Sequence, residues 1–392
     1  MIKSSSFVLL NVLLTAGMFV ASCKSDVFYN SDVETIEVDF RDLKSVSCDE
    51  VIDSIRFVKL ETTEKSLIGN IDNIFFVDST IVVFDEFVTN SANLFDLNGK
   101  FKKRLSNKGN GPKEYLKISD LFIDKNRIGI KDNLKSRILF YDCDGNYLET
   151  VKTPYVFGDI RTIDEDKYIL HLDGVNNTGG KEYDKSSFVI VDKQFKPLYG
   201  IGTTLISEDF SWSYINNYFP NGNEMMCIAD MQDDIYLVNS KGYKAKYKFV
   251  IKPNNLYDQT YWNDEEFTEM SKYYSRFNGS FIELEDLSYF SLIKAENGRS
   301  YFTNGIIYSH KTHLTKILDM VSSDPLMMFF NNTKTGYKNN TLVSVSNANN
   351  IISIKQQLIE KGGYNESMAA LCDGLTVDSN PVLFFYDIDI NE

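Results

Sequence analysis

An all-β ring of small sheets, a six-bladed β-propeller, is the fold class this sequence predicts, and three observations predict it. A hairpin motif recurs: Phe95-Asp96-Leu97-Asn98-Gly99-Lys100-Phe101 returns about 46 residues later as Tyr141-Asp142-Cys143-Asp144-Gly145-Asn146-Tyr147, the period of a four-stranded propeller blade. Short alternating apolar runs bounded by turn residues fill most of the chain. The composition, with 28 Phe, 23 Tyr and only 7 Pro in 392 residues, suits strands better than helices.

The elements follow in order. The opening MIKSSSFVLLNVLLTAGMFVASC has an early cation at Lys3, an apolar run from Phe7 to Val20 and small residues before Cys23, which together read as a secretion signal. Val20-Ala21-Ser22-Cys23 looks like a bacterial lipobox, in which small residues give a signal peptidase access and Cys23 takes the lipid on its sulfur. The alternative is an ordinary signal peptide with a chance cysteine. Residues 1–22 are then the signal, 23–32 a lipidated tether and 33–392 a single propeller domain. No later run reaches the ~20 apolar residues of a spanning helix, so the expected state is anchored to a membrane without crossing it. The expected location is the cell envelope as an outer-membrane lipoprotein, on its periplasmic or surface face; Lys24 is compatible with that sorting.

Ile36, Val38 and Phe40, then Val51 to Leu60, alternate with charges and predict two strands before any blade. Blade one is expected over Ile71–Val77, Ile81–Asp85, Ala92–Asp96 and Phe101–Leu105, and blade two over Ser119–Asp124, Arg127–Lys131, Arg137–Tyr141 and Tyr147–Val151. Blade three runs from Ile160 to Tyr199, interrupted by a Gly174–Lys185 loop. Blade four holds Glu224–Ala229, Asp234–Val238 and Lys246–Val250. An N-cap at Asn263 and acids at Asp264, Glu265 and Glu266 predict a short helix within Asn263–Phe277. Blade five is placed on Leu287–Lys294, Ser300–Thr303, Ile306–Tyr308 and Thr315–Leu318. Blade six is placed on Met327–Phe330, Leu342–Val345 and Val382–Asp387, with a helix at Ile351–Lys361. An open ring would leave unpaired edges, so Ile55–Leu60 is expected to pair with the C-terminal strands.

The formal charge of −14 repels nucleic acid and anionic lipid. Cys48, Cys143, Cys227 and Cys372 are far apart; buried free thiols are expected rather than a disulfide framework or zinc site.

Each candidate for chemistry has a structural alternative. Gly109-Asn110-Gly111-Pro112 offers backbone N–H groups to an anion, or simply joins two blades. Asp142, Asp144 and Asn146 have calcium-type oxygens, or form a hairpin turn. His310 and His313 offer two imidazoles with no third ligand; exposed turn histidines are the expectation. Asp85, Glu86, Asp132 and Asp173 lie near strand ends, where paired carboxylates would suit glycoside hydrolysis and turn capping would suit them equally. Trp212, Tyr214, Tyr218, Tyr257, Tyr261 and Trp262, with Tyr273 and Tyr274, gather where the blade pattern is interrupted. They are the candidate ligand-binding residues, since exposed aromatics stack on sugars, against the alternative of packing onto a blade edge.

Leu60-Glu61-Thr62-Thr63, Leu67-Ile68-Gly69, the Phe95–Phe101 hairpin, Gly109-Asn110-Gly111-Pro112-Lys113-Glu114-Tyr115 and Asn380-Pro381-Val382-Leu383 resemble the six-bladed β-propeller lipoproteins of Bacteroidota, relatives of the NHL-type propellers. The resemblance implies a six-bladed ring on an envelope lipoprotein and carries over no catalytic residue. The functional expectation is a binding or protein-interaction module, without cofactor or metal, whose partner is a glycan or another envelope protein. The alternative is a glycan hydrolase or lyase using loop carboxylates at the central channel.

Overall fold

The structure is a computed structural model that describes residues 33–389, apart from 155, 165, 173–182, 184, 185, 203–217, 222, 223, 230, 231, 254–263, 332 and 339. Six small sheets make a six-bladed propeller. A leading segment holds β1 (Glu34–Asp39), β2 (Lys44–Ser47), a single turn α1 (Cys48–Val51) and β3 (Ile52–Lys59). Blade one is β4 (Asn73–Val77), β5 (Thr80–Asp85), β6 (Ser91–Asp96) and β7 (Phe101–Leu105). Blade two is β8 (Asp120–Asp124), β9 (Arg127–Asp132), β10 (Arg137–Asp142) and β11 (Tyr147–Lys152). Blade three is β12 (Ile160–Ile163), β13 (Lys167–His171), β14 (Phe188–Asp192) and β15 (Pro197–Ile201). Blade four is β16 (Tyr218–Asn221), β17 (Glu224–Ile228), β18 (Asp234–Asn239) and β19 (Gly242–Lys252).

After α2 (Asp264–Met270), blade five takes β20 (Arg276–Glu283), β21 (Leu287–Glu296), β23 (Ile306–Ser309) and β24 (Thr315–Asp319). β22 (Arg299–Phe302) pairs only with the far end of β21, as an upstanding ribbon. Blade six takes β25 (Thr333–Tyr337), β26 (Thr341–Ser346) and β27 (Val382–Ile388), with α3 (Ala348–Lys361) and α4 (Glu366–Cys372) between the last two.

Alternation explains why the blades stack. Ile81 and Val83 of β5 face the blade-six side while Val82 and Phe84 face blade two, so every residue of that strand is buried. Ile138 and Phe140 of β10 face blade three while Leu139 and Tyr141 face blade one. Apolar on both faces is what a strand between two neighbours requires. Among the described residues the core accordingly divides into six clusters, one for each blade-to-blade interface.

The recurrent hairpin has one mechanism. The Asp96 carboxylate accepts from the backbone N–H of Asn98 and Lys100, both 2.9 Å, and Asp142 accepts likewise from Asp144 and Asn146. Asp192 repeats this with Gln194 and Lys196. The left-handed residue the turn needs is Gly99, then Gly145, then Phe195 at φ 63°.

The ring closes as expected. β3 is the outermost strand of blade six and pairs antiparallel with β27 from Val382↔Lys59 to Ile388↔Ile52. The rest of the leading segment wraps the rim: β1 adds in parallel to β19 and β2 in parallel to β24. Some expectations need correction. Met327–Phe330 is no strand but part of a 3-10 helix, Pro325–Phe329, because Asp324 caps it by accepting from the Leu326 N–H and Pro325 sits in its first turn. The blade-six inner strand is Thr333–Tyr337 instead. The short helix stops at Met270, and Arg276 and Phe277 belong to β20. The Ser300–Thr303 run forms the ribbon rather than a blade strand.

Candidate functional site

The first strands of the blades form the inner wall, with β4 against β8, β8 against β12, β16 against β20, β20 against β25 and β25 against β4. Because strand direction alternates within a blade, the connections between blades and the turns between second and third strands all lie on one face, here called upper. The long excursions, including 106–119, 320–332 and 347–381, are therefore gathered there.

At that face a cavity of about 540 Å³ opens between blades five, six and one. Two bulges shape it. In β20 the register shifts between Phe277 and Phe281, where Gly279 takes φ 83° and Asn278 locks the bulge by donating to Ser291 Oγ and accepting from the Ser280 N–H. In β25 the shift falls between Thr333 and Thr335, and Lys334 is the bulged residue. Asp72 and Glu86 of blade one face it, and Phe87 and Phe302 stand at its rim. A second cavity of about 380 Å³ continues along the channel, sharing Phe281, Ile282 and Lys334 and reaching Tyr218, Glu283 and Tyr337.

The mouth concentrates charge. Asp72 Oδ2 accepts from the Glu86 N–H at 2.7 Å. Burial raises the Glu86 carboxyl above the usual range, and Asp120, Asp72 and Asp159 push it the same way against Lys117. Asp120 pairs with Arg161 at 2.8 Å and accepts from the Ile160 N–H; burial outweighs Arg161 and lifts its carboxyl above the usual range. Burial depresses the Lys334 ammonium, with Asp72 acting against it.

The sequence-derived candidates fare differently. Cys23, Trp212, Tyr214, Tyr257, Tyr261, Trp262 and Asp173 lie outside the described residues. Tyr218 is not on an exposed loop: it opens β16, is buried beneath the Arg161 guanidinium at 5.0 Å, and donates to the Asp159 carbonyl. Tyr273 is exposed. The glycine loop holds an anion from its own chain, since Glu114 Oε2 accepts from the Gly111 N–H at 2.8 Å. Tyr115 beside it is buried and donates to the Asn90 and Leu105 carbonyls, pinning the connection between blades one and two.

Asp142 serves its hairpin. Asp85 is buried and accepts from the Gly69, Val88 and Thr89 N–H groups, a purely local role; Asp132 accepts from the Leu116 N–H. His313 is exposed, as expected, but His310 is half-buried, with Nε2 3.0 Å from Ser288 Oγ and 3.5 Å from Glu283. Among the described residues no three His, Cys, Asp or Glu side chains are placed to hold a metal. Cys48, Cys227 and Cys372 are buried free thiols and Cys143 is partly buried. Of the described acids among those singled out in sequence (Asp85, Glu86 and Asp132), Glu86 lines the cavity. Asp72, Lys334, Phe87 and Phe302 carried no motif that would have marked them.

Comparison with known proteins gives a family and a fold. A family profile described as "Domain of unknown function (DUF4934)" matches residues 32–387. A Bacteroides fragilis protein described as exported superposes with a TM-score of 0.72 at 16% identity, covering 91% of this chain and 100% of that one. A Bacteroides vulgatus member of the DUF4221 family superposes with a TM-score of 0.51 at 11% identity, covering 87% and 98%. At those identities the likeness concerns fold. No curated protein matches the chain.

Proposed function

This chain belongs to the DUF4934 family, and on that premise we propose that it is a lipid-anchored envelope protein that binds a ligand at the upper mouth of its channel. The observation that carries the reading is the 540 Å³ cavity, which three blades line and on which Asp72, Glu86 and Lys334 converge. Ligand sites are concave, with a few convergent polar groups and perturbed ionisations. The leader and lipobox ending at Cys23 support an envelope location with the acyl chains as anchor. Among the described residues no helix is long and apolar enough to cross a membrane.

A second reading, an enzyme acting on glycans, is favoured by the gathering of Asp72, Glu86, Asp120 and Asp159 at this mouth. A carboxyl held above its usual range among other carboxyls is the kind of group that serves such hydrolysis as general acid.

The test is a thermal titration of the purified protein with a panel of oligosaccharides, comparing wild type with Phe302→Ala and Glu86→Gln. A ligand at ~100 times its Kd adds about 2.7 kcal/mol, a rise of roughly 3 °C for a chain this long. A rise abolished by Phe302→Ala supports the mouth as the site; a rise untouched by either variant refutes it. Product formation lost in Glu86→Gln selects the enzyme.

A further inference from the structure

We propose that Lys334 captures an anionic group on a hydroxylated ring, making the channel mouth selective for acidic saccharides over neutral ones. The inference rests on the reading of the mouth as the ligand site and adds the ligand's class. Lys334 lies in the β25 bulge, half-buried, and lines both cavities of the channel. Among the described residues no side chain or carbonyl accepts a hydrogen bond from its ammonium, and no carboxylate lies within ion-pair distance. Two other basic groups of this end are committed, Arg161 to Asp120 and Lys131 to the Gly158 carbonyl, while Lys117 is exposed and does not line the cavity. A cation withdrawn from water without a partner is a cost to the fold, and an incoming anion removes that cost. Burial does depress this ammonium.

The remaining walls narrow the ligand. Asp72 and Glu86 face the same cavity as acceptors, so a bare anion would meet repulsion there, whereas hydroxyl groups beyond a single anionic group would donate to them. Phe87 and Phe302, 75% and 63% exposed, flank the opening as apolar faces on which a sugar ring can lie. One anionic group, several hydroxyls and a ring describe a carboxylated or sulfated sugar.

The experiment titrates the purified protein calorimetrically with galacturonate, neutral galactose, galactose 6-sulfate and inorganic phosphate, in wild type, Lys334→Met and Phe302→Ala. Galacturonate is expected to bind, galactose at least about tenfold more weakly, and phosphate not at all. Lys334→Met should weaken the acidic ligand roughly 10- to 100-fold, the range for a charge-assisted hydrogen bond, while its unliganded Tm stays equal or rises. Binding of the sulfated sugar with loss of galacturonate would keep the anionic class and move the source from carboxylate to sulfate. A Tm lowered by several degrees in Lys334→Met would make the lysine a structural partner of Asp72 and overturn the proposal. So would unchanged galacturonate binding in that variant, tight binding of phosphate alone, or no binding of any acidic sugar. If galacturonate and galactose bind equally and Phe302→Ala weakens both, the mouth stands as the site and the selectivity falls.

Discussion

Phe385→Ala tests whether the interface that closes the ring is packed like the five others. Phe385 lies on β27, 2% exposed, in the cluster shared by blades six and one. Phe76 approaches its ring at 5.9 Å and Tyr337 at 5.5 Å, and the Arg56 guanidinium of the closing strand stands 3.7 Å above it. Truncating a buried Phe costs about 3–5 kcal/mol, transfer and cavity together. With about 2.1 cal/mol/K of unfolding entropy per residue, 392 residues give roughly 0.8 kcal/mol per kelvin, so ~4 kcal/mol lowers Tm by about 5 °C. Scanning calorimetry of Phe385→Ala beside Phe140→Ala, its counterpart at the blade two–three interface, should show comparable losses. Arg56→Ala should cost only ~0.5–1 kcal/mol, and the double mutant should recover most of that as coupling. A Phe385→Ala loss below about 1 °C, with Phe140→Ala behaving as stated, would refute the claim that the closing interface contributes like the others.

Three further outcomes are expected. Glu283 is buried, which alone would raise its carboxyl, but hydrogen bonds from His310, Lys246 and Ser288 and the Lys246 charge hold it at about 2 against an ordinary 4.5; that contribution, about 3 kcal/mol, is present above pH 4.5 and is lost as pH falls towards 2. His310 is raised by the same contact despite its own burial, so its share is full below pH 6.5 and lost as pH rises through its folded value; Glu283→Gln should flatten both limbs of a Tm-versus-pH curve. Tyr115→Phe removes a hydroxyl 3.0 Å and 3.2 Å from two buried carbonyls and should cost ~1–2 kcal/mol in urea unfolding, with no change in far-ultraviolet dichroism. Gly99→Ala, at φ 84° with the new Cβ 2.3 Å from the Lys59 carbonyl oxygen, should cost well over the ~1 kcal/mol expected for Gly298→Ala, where φ is 73° and nothing lies within 4 Å.

How much of this was readable in the sequence depended on where polar and apolar residues had to sit. Blades one and two are legible to within a residue or two because their strands alternate between two apolar interfaces and their hairpins carry Asp and Gly at the positions the turn demands. Innermost strands were harder. Thr333–Tyr337 and Tyr218–Asn221 line a channel on one side, so their polar and small residues break the period that marks a strand. Met327–Phe330 read as a strand because it is apolar, and the Asp-Pro pair before it was the signal that turns it into a helix.

The mouth was the least readable part, since Asp72, Glu86, Asn278, Phe302 and Lys334 meet only once the ring has closed. No local spacing could announce them, and Glu86 was one acid among 55 Asp and Glu. Aromatic type and clustering do not distinguish a ligand-facing ring from Tyr218, which opens an inner strand and is buried.

The wrapped leading segment has a consequence for how the chain reaches its native state. Glu34 is bonded to Tyr308, 274 positions away, and Ser54 to Asp387, 333 positions away. Blades one to three draw all their strands from residues 73–201, whereas blades four to six each take one from residues 34–59. The first strands to leave the ribosome are thus the last to find partners. Loop closure over such spans is slow, and three unpaired strands must meanwhile be kept from strangers. For this protein the slow step of folding should be the docking of its own beginning onto its end.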